Sequence, residues 1–64
     1  MKLYYAILIN SLGIKYKSKE YSSLAICKRY NKENVVKYIE KEIHYILDEK
    51  LIPVGKSISR RQVK

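Results

Sequence analysis

The chain has 64 residues with 14 Lys/Arg against six Asp/Glu, a formal net charge of +8, and it carries one cysteine, one histidine, seven tyrosines and neither Phe nor Trp. One cysteine excludes an internal disulfide, and no Cys/His cluster offers a structural zinc site. The longest apolar run, Leu3–Ile9, falls far short of the roughly 20 residues that span a bilayer.

A chain this short buries only about 60% of the surface exposed by its unfolded form, so its own stability is marginal. Without disulfide or metal, self-association is the remaining support, and a homodimer is expected. A free thiol and the lack of a signal-peptide pattern after Ile9 place the expected location in the cytoplasm. The charge is segregated. Residues 1–32 balance to +6, residues 33–49 to −3, and residues 50–64 to +5. AT-rich coding accounts for abundant lysine better than it accounts for this segregation, which describes a molecule with a positive side.

Lys2–Ile9 is rich in β-branched and aromatic residues and apolar on both alternating faces, as in a covered strand. Asn10-Ser11-Leu12-Gly13 supplies a turn, and Ile14–Lys19 then alternates. Ile14 and Tyr16 face one way; Lys15, Lys17 and Lys19 face the other. The two runs predict a hairpin with one solvated, basic face. Leu24–Tyr30 reads first as a third strand, with a helix over Ser22–Tyr30 as the competing assignment.

An amphipathic helix is predicted from about Lys32 to Lys50. Asn31 is its N-cap, Glu33 lies in its first turn, and Val35, Ile39, Ile43, Ile46 and Leu47 form its apolar stripe. Pro53 stops it, and Ile52–Ile58 reads as a short extended segment or fourth strand. Ser59–Lys64 is too polar and too terminal to be firmly ordered. The expected architecture is therefore α+β: a small three-stranded antiparallel sheet (β-β-β-α) with one helix packed on it. Residues 1–58 form one domain, followed by a flexible basic tail, 59–64.

This order resembles the HicB-like family of antitoxins, whose N-terminal domain is a partial RNase H-like fold. Lys2-Leu3-Tyr4-Tyr5-Ala6-Ile7-Leu8-Ile9 is similar to the family's Tyr-rich opening strand. Tyr21-Ser22-Ser23-Leu24-Ala25-Ile26-Cys27 has the length of its aromatic-Pro-Asp-Leu-Pro-Gly-Cys segment, with Tyr21, Leu24 and Cys27 in register. Val35–Leu47 and Leu51-Ile52-Pro53 look like its amphipathic helix and the exit from it. The resemblance implies a prokaryotic or viral inhibitor module that acts on another protein.

Catalysis has little to work with. A metal-dependent nuclease needs several converging carboxylates, and Glu20 is the only acid outside residues 33–49. His44 with Glu40 offers two ligands where a tight site takes three or four. Cys27 reads as a small buried apolar residue rather than a nucleophile. Gly13 and Gly55 read as turns, not as a phosphate-binding loop. Tyr4, Tyr5, Tyr16, Tyr21 and Tyr30 lie on the predicted sheet and Tyr38 and Tyr45 on the predicted helix. Exposed tyrosines can stack on unpaired bases for about 1–3 kcal/mol each, but here tyrosine must also serve as the large core residue.

The expected function is thus non-catalytic, with no cofactor, metal or membrane partner. Nucleic acid is the first expected partner. Lys15, Lys17, Lys19, Lys28 and Arg29 form the expected sheet-side patch, and Lys56, Arg60, Arg61 and Lys64 an expected flexible arm, all contacting phosphates. The alternative is a protein-binding inhibitor or antitoxin-type module that meets an acidic partner, with charge speeding the encounter.

Overall fold

The β-branched opening run does form a strand. In a computed structural model describing residues 1–64, β1 spans Lys2–Ile9 and pairs antiparallel with β2, Lys15–Lys17. Asn10 builds the turn between them: its Oδ1 accepts the backbone N–H of Leu12 at 2.9 Å and of Ile14 at 3.0 Å. Gly13 closes it at φ +80, a conformation open to glycine at no steric cost. The chain then follows the outer edge of β1. Ser18 and Ala6 exchange hydrogen bonds, and Tyr4 and Tyr21 form an isolated bridge.

Two of the sequence expectations exchange places. Leu24–Tyr30 is a helix, α1, and not a third strand. A seven-residue helix has little stability of its own, so packing decides the matter: Cys27 is fully buried against Ala6 and Leu8. Asn31 is the cap that ends α1, its Nδ2 donating to the Cys27 carbonyl at 2.9 Å, rather than the N-cap of a following helix.

The predicted helix over residues 32–50 is absent, and Val35–Leu47 is a 13-residue strand, β3. The reason lies in the spacing. Val35, Ile39, Ile43 and Leu47 recur every four residues, and four is a multiple of the strand period of two as well as close to a helical turn. Val35, Val36, Tyr38, Ile39, Ile43, Tyr45 and Ile46 are all strand formers, and here they prevail. A register shift opposite Ile7/Leu8 turns Val35 onto the helix side, where it packs against the Ala6–Leu8–Cys27 cluster.

β4 runs from Pro53 to Val63. Pro53 suits the first position of an edge strand, where no ladder donor is required of it. Ser59–Val63, expected to form a flexible tail, instead continue this strand: Glu40 lies opposite Arg61, Ile39 opposite Gln62 and Tyr38 opposite Val63. Their polarity fits an exposed edge as well as it fits a loose terminus.

The fold is α+β. Its sheet has four antiparallel strands, not three, in the order β2-β1-β3-β4, curled into a half-barrel. α1 covers one face, with Tyr4, Tyr21, Val35 and Tyr38 packed around the Ala6–Leu8–Cys27 centre. Tyr38 also ties β3 to the end of α1, its hydroxyl donating to the Asn31 carbonyl at 2.7 Å.

The long hairpin outruns the rest. β1 pairs with β3 only as far as Glu42, and the Ile43 N–H donates to the Met1 carbonyl at 2.8 Å. Past that point β3 and β4 have only each other, and the molecule measures 50 × 23 × 16 Å. Asp48 organises the tip: its Oδ1 accepts the N–H of Lys50 at 2.8 Å and of Ile52 at 2.9 Å. Leu51, just before Ile52, is held at φ +62.

Candidate nucleic-acid interface

Successive side chains of a strand point to opposite faces, so four aligned strands sort their residues into two sets. The helix-covered set includes Tyr4, Ala6 and Leu8 of β1, Tyr38, Glu40 and Glu42 of β3, and Arg61 of β4. The open set includes Tyr5 and Ile7 of β1, Ile39 and Ile43 of β3, and six cations. These are Lys15 and Lys17 of β2, Lys37 and Lys41 of β3, and Lys56 and Arg60 of β4. Both acids of the central part of β3 go to the helix side. The alternation separates the charges.

Tyr5, Ile39 and Ile43 are 6–8% exposed although no helix lies over them. A depression of about 280 Å³ is lined by Tyr5, Ile7, Lys37, Ile39, Arg60, Arg61 and Gln62. Lys17 Nζ stands 4.7 Å from the centre of the Tyr5 ring, close enough for a cation–π attraction.

Glu20 is the one acid on this side. Its carboxylate accepts Lys41 Nζ at 2.7 Å and lies 3.2 Å from Lys17 Nζ. The Lys41 hydrogen bond, helped by Lys17, holds its pKa below the usual carboxylate value. Lys15, Lys37, Lys56 and Arg60 remain exposed, and no ion pair engages them.

On the helix-covered side, Glu40 is 7% exposed and accepts Arg61 Nε at 3.0 Å and Nη2 at 3.3 Å. The paired guanidinium lowers the Glu40 pKa, and the carboxylate in turn raises that of Arg61. Lys2 stands 4.0 Å from the same carboxylate, and His44 Nε2 lies 3.5 Å from Glu42.

The structure thus divides the residues singled out in the sequence. Lys15 and Lys17 share the open face with Lys56 and Arg60, which are fixed in β4 rather than carried on a loose arm. Lys19 is exposed just past β2. Lys28 and Arg29 ride on α1, across the sheet from Lys15 and Lys17. Lys28 Nζ is 5.4 Å from the Tyr38 ring, and Arg29 borders a second depression, of about 380 Å³, with Tyr16, Tyr30 and Lys32. Arg61 is engaged by Glu40, and Lys64 is exposed beyond the end of β4. Lys37 and Lys41 were missed because a helix assignment put them on a solvated side. Their alternation with Ile39 and Ile43 is the signal that finds them.

Cys27 is buried, and burial pushes its thiol pKa up, away from the reactive thiolate. No three His, Cys, Asp or Glu side chains are grouped to hold a metal ion, and no helix is long and apolar enough to cross a membrane. No protein-family model matches the chain, and no similar curated protein or solved structure is found.

Proposed function

We propose that this protein is a non-catalytic regulator that binds the phosphate backbone of nucleic acid on its open sheet face. One observation carries the reading: six cations and a single acid project from that face, while Glu40 and Glu42 project from the other. The cations run from β2 to β4, across three strand spacings, or about 14 Å. Such a surface grips phosphates and carries little base selectivity.

The test is a salt series of binding isotherms with fluorescent single-stranded and duplex oligonucleotides. Binding near physiological salt with a steep logarithmic salt slope is expected. Absence of binding there, for both probes, removes the reading.

A second reading is favoured by the outer edge of β4. Pro53–Val63 leaves that edge unpaired and contains Lys56, Arg60 and Arg61 with no acid. An acidic extended segment of another protein would add to it as a further strand, the mode suited to an antitoxin-type inhibitor of the HicB-like kind. A protein partner that survives nuclease treatment in a pull-down would favour this second reading.

A further inference from the structure

We propose that the free end of the β3–β4 hairpin, residues 44–57, is the surface through which two copies of this chain associate. Its side chains give the first reason. Tyr45, Ile46, Leu47, Leu51, Ile52 and Val54 are all exposed, from 48% at Leu47 to 75% at Leu51. Single exposed apolar residues are ordinary, but six on one projecting end leave it apolar on both of its faces, a concentration of the kind that marks an interface.

Area and shape point to a partner of similar size. A compact monomer of 7.6 kDa exposes about 4,300 Å² by the usual mass scaling. This chain exposes 4999 Å². The excess, about 700 Å², approaches the roughly 800 Å² that each partner covers in a standard interface. The radius of gyration, 14.7 Å, likewise exceeds the about 11 Å expected for 64 compact residues.

Charge selects the occupant. Asp48 and Glu49 balance Lys50 and Lys56, so residues 44–57 are neutral and the whole +8 lies elsewhere. Two copies meeting through these ends hold their basic parts apart along a 50 Å molecule, well beyond the screening length of about 8 Å at physiological salt. An anionic lipid surface is a poor alternative occupant, because Asp48 and Glu49 sit at the tip that would approach it.

The backbone supplies an independent sign. Gly13 and Asn34 tolerate positive φ, but Leu51 at φ +62 does not, and its side chain is the most exposed in the patch. An exposed and strained leucine gains nothing in a lone chain. Buried in a second copy, it is an anchor.

Sedimentation of nuclease-treated protein over a wide concentration range tests the proposal, independently of any nucleic-acid binding. A reversible monomer–dimer equilibrium is expected, with the amides of residues 44–57, the hairpin arm, exchanging more slowly as concentration rises. The double variant Ile52→Lys, Val54→Lys should remain monomeric with an unchanged circular dichroism spectrum. Leu51→Gly should weaken association about tenfold or more. Leu12→Lys, at an exposed apolar residue of the body, should leave it intact. A wild type that stays monomeric, a dimer that survives the double variant, or one lost on Leu12→Lys would overturn the proposal. So would a monomer that protects these amides only on anionic vesicles.

Discussion

β3 and β4 run through two regions of this molecule and behave differently in each. Where β1 and α1 accompany them, Ile39, Glu40 and Ile43 are 7–8% exposed. Two to four residues further on, Tyr45, Ile46 and Leu47 are about half exposed. The residue types hardly change across the boundary. What changes is the number of neighbours, and a two-stranded ribbon cannot shelter its own side chains as three strands and a helix can.

The comparison is broken most forcefully by truncating the same kind of side chain on either side of the boundary. Leu8→Ala or Ile39→Ala should cost about 2–5 kcal/mol, enough to unfold much of so small a domain. Leu47→Ala, in dilute protein, should stay within about 0.5 kcal/mol of wild type. Urea denaturation of the three variants measures the contrast. Equal losses would mean that the arm is packed in solution even as a monomer.

Charge neutralisation sharpens it next. Lys37→Gln with Arg60→Gln should leave the urea midpoint nearly unchanged, because both side chains are exposed. Nucleic-acid affinity should fall, and the logarithmic salt slope should flatten by about 0.7–0.9 for each lost phosphate contact. Lys50→Gln, at the arm tip, should change neither.

Acid should loosen the region where β1 and α1 accompany β3 and β4. Glu20 and Glu40 have folded pKa values lowered by Lys41 and Arg61, respectively. Their contribution to stability is therefore present above the unfolded value, about 4.3, and is lost as pH falls through the lowered folded values. Denaturation midpoints should be level between about pH 5 and 7 and decline below about pH 4. Amide exchange should show the loss in the body, around Glu20 and Glu40.

The smallest effect concerns backbone strain. In dilute protein, Leu51→Gly should raise stability by about 0.5–1 kcal/mol, because glycine accepts φ +62 without steric cost. A fall in the urea midpoint would show that Leu51 packs within its own chain.

Much of this was legible in the sequence, and the failures have definite causes. The β-branched and aromatic residues of Leu3–Ile9, the Asn10–Gly13 turn and the Lys15/Lys17 alternation together identify the first hairpin. In β3, the four-residue spacing of Val35, Ile39, Ile43 and Leu47 satisfies helix and strand alike, and only the strand brings Lys37 and Lys41 onto the open face as site residues. α1 is settled by the fit of Cys27 onto Ala6, a long-range contact that no local pattern carries. The last five residues of β4 look like a tail until β3 is known to lie beside them. Then adjacent Arg60 and Arg61 part company, one to the open face and one to Glu40.

The Glu20 carboxylate, held between Lys17 and Lys41, has a consequence for the proposed binding reaction. It already occupies the position in which a phosphate oxygen would satisfy both ammonium groups. At these two lysines an incoming backbone would displace a resident anion, with part of its attraction consumed in the exchange, whereas Lys15, Lys37, Lys56 and Arg60 carry no such partner. The proposed face would thus be self-occupied at two of its six cations. Its most tightly held lysines are the last to be offered to a ligand.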